Sequence, residues 1–203
     1  MSNENTVQVW DILVRVFHWS LVGAFVIAYI TSEGEETLHI YAGYAVLGLI
    51  IFRVFWGVIG TRYARFSDFV YSPSAVIRYI KSLRSGQPKH YLGHNPAGGW
   101  MIVALLIGLF AISISGLKLD AAEDARGPLA GVTVDLSVVK QAYADEDERK
   151  GRGQGEEFWE ELHETATNLT LLLIFLHIAG VAISGRLHNE NLVKAMITGK
   201  KQA

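Results

Sequence analysis

Residues 162–184 read LHETATNLTLLLIFLHIAGVAIS, an apolar run that carries two histidines and a single carboxylate. Its length is about the 20 residues that an α-helix needs to cross a hydrocarbon core roughly 30 Å thick. Backbone groups find no water in lipid, so a segment that crosses must be helical. His163 and His177 are 14 residues apart, which is about 21 Å of helical rise and about 40° short of four full turns. The run therefore predicts a transmembrane helix with both histidines on one face, at two depths.

The same interpretation extends to three upstream stretches of similar length, at residues 12–31, 38–60 and 97–117. Buried helices of a soluble bundle would carry polar stripes at helical spacing, and these stretches have almost none. Composition agrees, because charged residues make up 19% of the chain, against about 25% in an average soluble domain. The sequence predicts an all-α integral membrane four-helix bundle, embedded in the lipid bilayer as one domain over residues 1–203.

Several classes of protein are excluded by what the sequence lacks. The chain has no cysteine, which excludes a disulfide framework, a thiolate metal site, an iron–sulfur cluster and the attachment motif of a c-type haem. Catalytic triads and phosphate-binding loops are absent, and we expect no nucleic-acid partner. The first 15 residues lack the basic start and the small-residue cleavage site of a secretory signal, so we expect the first apolar stretch to be retained as a helix.

Charge of opposite sign collects in alternate polar segments. Residues 53–99, which include the connection at 61–96, hold seven basic residues and one acid. The tail after Ser184 adds four bases and one acid. The other two connections are acidic, with three glutamates at residues 33–36 and twelve acids against six bases in the loop at 118–161. Because cytoplasmic loops collect Lys and Arg, the sequence predicts cytoplasmic termini, a cytoplasmic 61–96 connection and an outer polar loop at 118–161.

Two polar segments have further features. Residues 74–85, SAVIRYIKSLRS, alternate apolar and basic positions in a way that predicts a short amphipathic helix on the inner membrane surface. The outer loop contains the charged run DEDERK at 145–150, and we expect its second half to be mobile. The run is interpreted either as a docking surface for a basic partner or as a solvated segment with no partner.

Four of the seven histidines lie in or at the ends of apolar stretches, where a titratable group is costly and usually functional. The direction in which each span enters the membrane places His18 and His177 at an inner level, and His39 and His163 at an outer level. Two such levels suit two haems in the bundle core, because a haem iron takes axial ligands from facing helices. Zinc or copper would need three or four ligands at one point.

The other three histidines, His90, His94 and His188, fall in polar cytoplasmic segments. Solvated or interfacial positions are the simplest interpretation for all three.

Three more residues near the predicted ligands are candidate haem contacts. Arg53 follows His39 by 14 residues, so it lies on the same helical face at the inner level. Its guanidinium could neutralise a haem propionate, and an interfacial positive-inside anchor is an equally good interpretation. Gly43, one turn below His39, leaves room for a flat macrocycle. Arg15, one turn before His18, is a candidate contact of a propionate or of lipid headgroups.

Together these motifs resemble the bacterial cytochrome b561 family, which includes the cytochrome b subunit of respiratory nickel–iron hydrogenases. The resemblance runs from Val9 to about Gly199 and rests on RVFHW at 15–19, LHIYAGYAVLGLIIFRVFWG at 38–57, GHNPAGGWM at 93–101, ELHE at 161–164 and FLHIAG at 175–180. It implies two haem b groups, one held by His18 with His177 and the other by His39 with His163. It also implies quinone as a substrate. The long acidic outer loop departs from the shortest members.

The leading hypothesis is therefore a di-haem b-type cytochrome of the bacterial inner membrane. It would relay electrons between membrane quinone and a redox partner on the periplasmic face, either a c-type cytochrome or an enzyme subunit. The alternatives are the anchor subunit of a hydrogenase-like complex, a superoxide:quinone oxidoreductase, and a haem-handling membrane protein whose haems do not turn over. The sequence indicates no definite quinone site, and a homodimer is compatible with it.

Overall fold

The computed structural model describes residues 6–86, 88–123, 128 and 154–202. In chain order the elements are β1 Thr6–Gln8, α1 Ile12–Ile30, α2 Glu36–Ile59, a 3₁₀ turn Arg62–Ala64, α3 Phe66–Phe69, α4 Pro73–Leu83, α5 Pro96–Glu123, α6 Gln154–His188, α7 Leu192–Thr198 and β2 Lys200–Gln202. Four of these helices (α1, α2, α5 and α6) are long and apolar enough to cross a membrane, which confirms the predicted all-α membrane bundle.

Local capping explains where two of the membrane helices begin. Asp11 caps α1, because its carboxylate accepts the backbone N–H of Val14 at 2.8 Å. Asn95 does the same for α5, where its side-chain oxygen accepts the backbone N–H of Gly98 at 2.8 Å. Pro96 is the first residue of α5, and a proline costs little there because the first N–H groups of a helix have no partner within it.

The membrane helices extend beyond some of the apolar stretches from which they were predicted. The limits of α1 and α2 agree with the prediction to within 2 residues. In contrast, α5 continues to Glu123 and α6 begins at Gln154, so the outer polar loop predicted at 118–161 is shorter at both ends. Apolar residues indicate only the part of a helix that lies in lipid, and an established helix can continue into water through polar residues. The 145–150 run and its predicted mobility lie outside the described residues.

The bundle is built by successive packing of neighbouring helices. α1 packs on α2, α2 packs on α5, and α5 packs along α6. Glycines on α5 allow this last approach: a Cβ atom at Gly108 would lie 2.5 Å from Thr170 Oγ1, and one at Gly116 would lie 3.0 Å from His163 Cε1. In the described part of the chain, α6 makes few or no close backbone contacts with α1 and α2. We call the space between α6 and the α1–α2 pair the α6 seam.

Both ends of the chain lie at one end of the bundle, which we call the inner end. β1 pairs antiparallel with β2, with Thr6 opposite Gln202. Above this ribbon, a small core of Val9, Trp10 and Ala195 ties α7 to the start of α1. Because the chain crosses the bundle four times, the two termini return to the same side, as predicted.

Two short helices cover the inner end between α2 and α5. α3 is held closely, since its Phe66 ring packs on Gly57 of α2 and the Phe69 carbonyl packs on Gly99 of α5. α4 covers most of residues 74–85, which confirms the short helix predicted there. Its Tyr79 is buried, whereas its large apolar side chains Ile77 and Ile80 are exposed. Their contact with the membrane surface stays a prediction.

Candidate functional site

The four membrane histidines are distributed over three helices. His18 lies on α1, His39 on α2, and both His163 and His177 on α6. All four side chains are half-buried. The structure brings His39 next to His163, near the end of the bundle opposite the termini, and His18 into the electrostatic range of His177 nearer the inner end. Each pair crosses the α6 seam, so the seam has two histidine levels, as the spacing predicted.

At the outer level the two imidazoles lie close together in an edge-to-face arrangement. The ring centroids of His39 and His163 are 6.1 Å apart, and the ring planes are inclined by 75°. Two imidazoles that bind one metal from opposite sides, each through a bond of about 2 Å, have centroids roughly 6 Å apart. The observed separation therefore suits two axial ligands of one iron.

Backbone carbonyls fix a proton on the Nδ1 atom of each outer imidazole. His39 Nδ1 lies 2.8 Å from the carbonyl oxygen of Ala28, and His163 Nδ1 lies 3.0 Å from that of Ile112. A carbonyl oxygen can only accept, so each Nδ1 donates and each Nε2 keeps its lone pair. Such a donor bond orients a metal-binding histidine and raises the basicity of its ligating nitrogen.

Two residues of α5, neither of them predicted from the sequence, complete the surroundings of His163. Ser115 is fully buried, and its hydroxyl lies 3.1 Å from His163 Nδ1. Gly116 presses on the same ring, since a Cβ atom there would lie 3.3 Å from Nδ1. Nothing in the nearly uniform apolar pattern of α5 indicates which of its residues face α6, so only the packing of the two helices reveals them.

The inner pair is less closely associated. Within the described residues no ring contact joins His18 to His177, although the two side chains interact electrostatically. The Nδ1 atom of His18 is buried and has no hydrogen-bond partner. A buried ring nitrogen without a partner is costly in a folded protein, so this atom is available to a further group in the seam.

Arg53 lies at the inner level, as its spacing from His39 predicted. It is only 3% exposed, so it does not reach the lipid headgroups as an interfacial anchor would. Its guanidinium carbon lies 5.1 Å from the centre of the Phe66 ring and 5.7 Å from that of Phe69, and its Nη1 atom is buried without a partner. These contacts hold a positive charge in an aromatic cage, with one donor still unused.

Arg15 has a structural partner that the sequence did not indicate. Its Nη1 donates to the carbonyl oxygen of Ile197 at 2.5 Å, in the last turn of α7, where unpaired carbonyls and the helix dipole favour a cation. Its Nε atom is buried without a partner. Arg15 thus attaches the C-terminal helix to α1, and one nitrogen remains for another acceptor.

Gly43 borders open space. A Cβ atom at this position would meet nothing within 4 Å, so the backbone of α2 beside His39 is free to be approached by a flat group. The predicted role of Gly43 as a place for a macrocycle is compatible with this opening.

His94 differs from the other two histidines that were assigned to polar segments. His90 and His188 are close to each other near the surface, with ring centroids 5.1 Å apart. His94 instead lies between the rings of Trp10 and Phe69, at centroid distances of 4.5 and 4.8 Å. Burial, together with the nearby charge of Arg53, lowers the pKa of His94 to about 3. His94 is therefore not a freely solvated side chain, because folding packs its ring against Trp10 and Phe69, and its partial burial is compatible with the interfacial alternative.

The residues present fit haem better than a bare metal ion. Among the described residues, no group of three or more His, Asp or Glu side chains could hold a metal ion, whereas the α6 seam offers one close imidazole pair and a second pair within electrostatic range. Open space beside Gly43 and unused donors on Arg53 and Arg15 suit a flat macrocycle with acidic substituents.

Comparison with known proteins points to the same cofactor. The family model described as prokaryotic cytochrome b561 matches residues 9–199. A similar protein is the probable Ni/Fe-hydrogenase B-type cytochrome subunit of Rhizobium leguminosarum bv. viciae, which is 27% identical over 144 residues. That alignment covers 56% of this chain and 59% of the relative, so the chain matches about three-fifths of that protein. No solved structure matches the chain significantly.

The family match covers all four membrane helices and both histidine levels. On this ground the chain belongs to the prokaryotic cytochrome b561 family, whose cytochromes bind haem b.

Proposed function

We propose that the chain holds two haem b groups, one between His39 and His163 and one between His18 and His177, and relays electrons between membrane quinone and a periplasmic redox partner. The observation that carries this proposal is the outer pair, whose centroids are 6.1 Å apart and whose Nδ1 atoms both face backbone carbonyls. Ligands that are already oriented need little rearrangement to bind iron. The electrostatic interaction between His18 and His177 supports a second site of the same kind.

The protein supplies the ligands and the electrostatic surroundings of both sites. Each bound haem would contribute reversible one-electron chemistry at its iron. The carbonyls of Ala28 and Ile112 orient the outer imidazoles, and the buried charge of Arg53 raises the electrostatic potential at the inner level. Because the two histidine levels lie about 21 Å apart along α6, electrons could enter and leave the protein at opposite faces of the membrane.

The distribution of charge supports an orientation in the bacterial inner membrane. The inner end carries both termini and the basic 61–96 connection, so we assign it to the cytoplasm. The acidic connections then face the periplasm. A basic partner, such as a c-type cytochrome, would be attracted to that face.

Haem stoichiometry and single-histidine variants test the ligand assignment. A pyridine haemochrome assay on the purified chain should give two haem b per protein. His39→Ala and His163→Ala should each lose the outer haem and keep the inner one, whereas His18→Ala and His177→Ala should do the reverse. His90→Ala is the matched control, because His90 lies near the surface and binds Glu190 rather than the seam. Loss of neither haem, or of both haems in a folded variant, would contradict the assignment.

The direction of electron flow is tested by reducing and reoxidising the haems. Quinol should reduce both haems, and an added oxidised c-type cytochrome should reoxidise them. Haems that quinol does not reduce would favour a haem-handling protein, and rapid reduction by superoxide with quinone as acceptor would favour a superoxide:quinone oxidoreductase.

A second candidate function is that of anchor subunit in a hydrogenase-like complex. It is favoured by the relative from Rhizobium leguminosarum bv. viciae, whose name is that of a Ni/Fe-hydrogenase B-type cytochrome subunit. Purification of the tagged chain in mild detergent should then retain a peripheral redox enzyme in fixed ratio. Isolation as a monomer or homodimer with both haems and full quinol reactivity would favour the self-standing relay.

A further inference from the structure

Two polar groups at the inner end are buried without an adequate partner. Arg53 is 3% exposed and has an unpaired Nη1, and the Nδ1 atom of His94 is likewise buried and unpaired. Both groups contact the same ring: the Arg53 guanidinium lies 5.7 Å, and the His94 ring 4.8 Å, from the centre of Phe69. Phe69 is itself 1% exposed. The two unpaired groups therefore lie against one buried ring, and Arg53 is close enough to act electrostatically on His94.

The nearest acid does not neutralise Arg53. Asp11 influences Arg53 electrostatically, but its carboxylate is already used by other donors. One oxygen accepts the N–H of Val14 at 2.8 Å, and the other accepts from Trp56 at 3.2 Å and from Thr61 at 2.5 Å. No carboxylate within the described residues forms an ion pair with Arg53. A buried guanidinium without a counter-ion is strongly unfavourable, so an anion that the described residues do not supply would stabilise this site.

His94 suits the same anion. Burial and the charge of Arg53 keep its imidazole neutral, and a neutral imidazole carries one N–H donor. His177 also lies within the electrostatic range of His94, so His94 is near the inner histidine level. Trp10 and Phe69 both pack against the His94 ring, at centroid distances of 4.5 and 4.8 Å, and hold it at the inner end.

We propose that Arg53 and His94 together bind one carboxylate of the haem held between His18 and His177. The guanidinium matches a carboxylate in charge and in its paired donors, and the imidazole N–H binds the same group from the side of the aromatic layer. This inference rests on the inner haem of the proposed function and adds His94 as a positioning residue. The carbonyl oxygen of a quinone is a different ligand, and the experiment distinguishes it.

The test uses the full chain, purified in detergent, with the outer haem as an internal standard. His94→Phe keeps an aromatic ring against Trp10 and Phe69 but removes the N–H donor. His94→Gln keeps a donor, and His90→Phe is the matched control outside the site. The midpoint potential of each haem is measured by spectroelectrochemical titration, and haem content by pyridine haemochrome.

We expect His94→Phe to lower the potential of the inner haem by about 59 mV, which is the shift for a tenfold change in a one-electron equilibrium. A carboxylate that has lost a donor carries more effective negative charge, and this charge favours the oxidised iron. His94→Gln should recover most of the wild-type potential, and His90→Phe should equal the wild type. In the Arg53→Met/His94→Phe double variant, the shift should differ from the sum of the single shifts, because the two groups share one ligand.

Reconstitution with haem dimethyl ester identifies the ligand. Its carboxylates are blocked, so wild type and His94→Phe should then have the same inner potential. An effect of His94→Phe that persists with the ester would overturn the proposal. So would an unchanged inner potential combined with slower reduction by quinol, which would assign His94 to quinone. If the wild-type protein contains no haem that depends on His18 and His177, the proposed function itself fails, and the haem count shows this separately.

Discussion

Replacing Gly116 by alanine should weaken the outer histidine pair. Gly116 lies on α5 against the His163 ring, and a Cβ atom there would be 3.0 Å from Cε1 and 3.3 Å from Nδ1. It also lies one helical turn after Ile112, whose carbonyl accepts from that Nδ1 at 3.0 Å. The added methyl group therefore pushes on the ring where its hydrogen bond holds it. The ring cannot move away without lengthening that bond.

The magnitude follows from two opposing effects. Alanine in a helix interior is favoured over glycine by about 0.5–1 kcal/mol. Extra volume in a packed site costs about 1–3 kcal/mol, so the net loss should lie between about 0 and 2.5 kcal/mol, with about 1.3 kcal/mol at the middle of the two ranges. If this mid-range loss falls entirely on the outer site, the affinity for its haem drops roughly eightfold, and at most roughly 60-fold, since about 1.4 kcal/mol corresponds to a tenfold change.

Thermal loss of the outer haem in detergent, followed by absorbance, measures this effect. Gly48→Ala is the matched control, because Gly48 is on α2, nine residues from His39 and hence on the opposite face, with nothing within 4 Å of an added Cβ. Gly116→Ala should lose the outer haem at a lower temperature, while Gly48→Ala should be neutral or slightly stabilising. Equal behaviour of the two variants would refute the argument that Gly116 holds the His163 ring.

Three further predictions concern the polar segments. Reporter fusions after Gly86 should be cytoplasmic and fusions near Gly153 periplasmic, and the reverse result would exchange the two faces. Neutralising the acids at 145–148 should slow electron exchange with a basic partner, and added salt should slow the same exchange in the wild type. A rate that neither change affects would favour the interpretation of this run as a solvated segment with no partner. Burial by itself raises the pKa of Glu190, but hydrogen bonds from Lys201 and His90 outweigh this effect and lower the pKa overall. The stabilisation from this depressed pKa is therefore present above about pH 4.5 and is lost as the pH falls through the folded-state value. Hydrogen exchange of α7 should accelerate in acid in the wild type and depend less on pH in Glu190→Gln.

Much of the architecture follows from the sequence alone. Length and hydropathy are sufficient to predict membrane helices, because a bilayer imposes one length and one backbone conformation on any segment that crosses it. The 14-residue spacing of His163 and His177 likewise places both on one face, since helical geometry is the same in every helix. The same rule places Arg53, 14 residues after His39, on the same face of α2.

The sequence does not predict which faces of the membrane helices pack against each other. α5 is apolar on every side, so its pattern does not show that Ser115 and Gly116 face His163. Only the tertiary structure decides this, because helices in lipid associate through the fit of small residues rather than through an apolar stripe. The same is true of His94 and of the buried position of Arg53. Their surroundings come from residues distant in the chain, such as Trp10 and Phe69, which only folding of the inner end brings together.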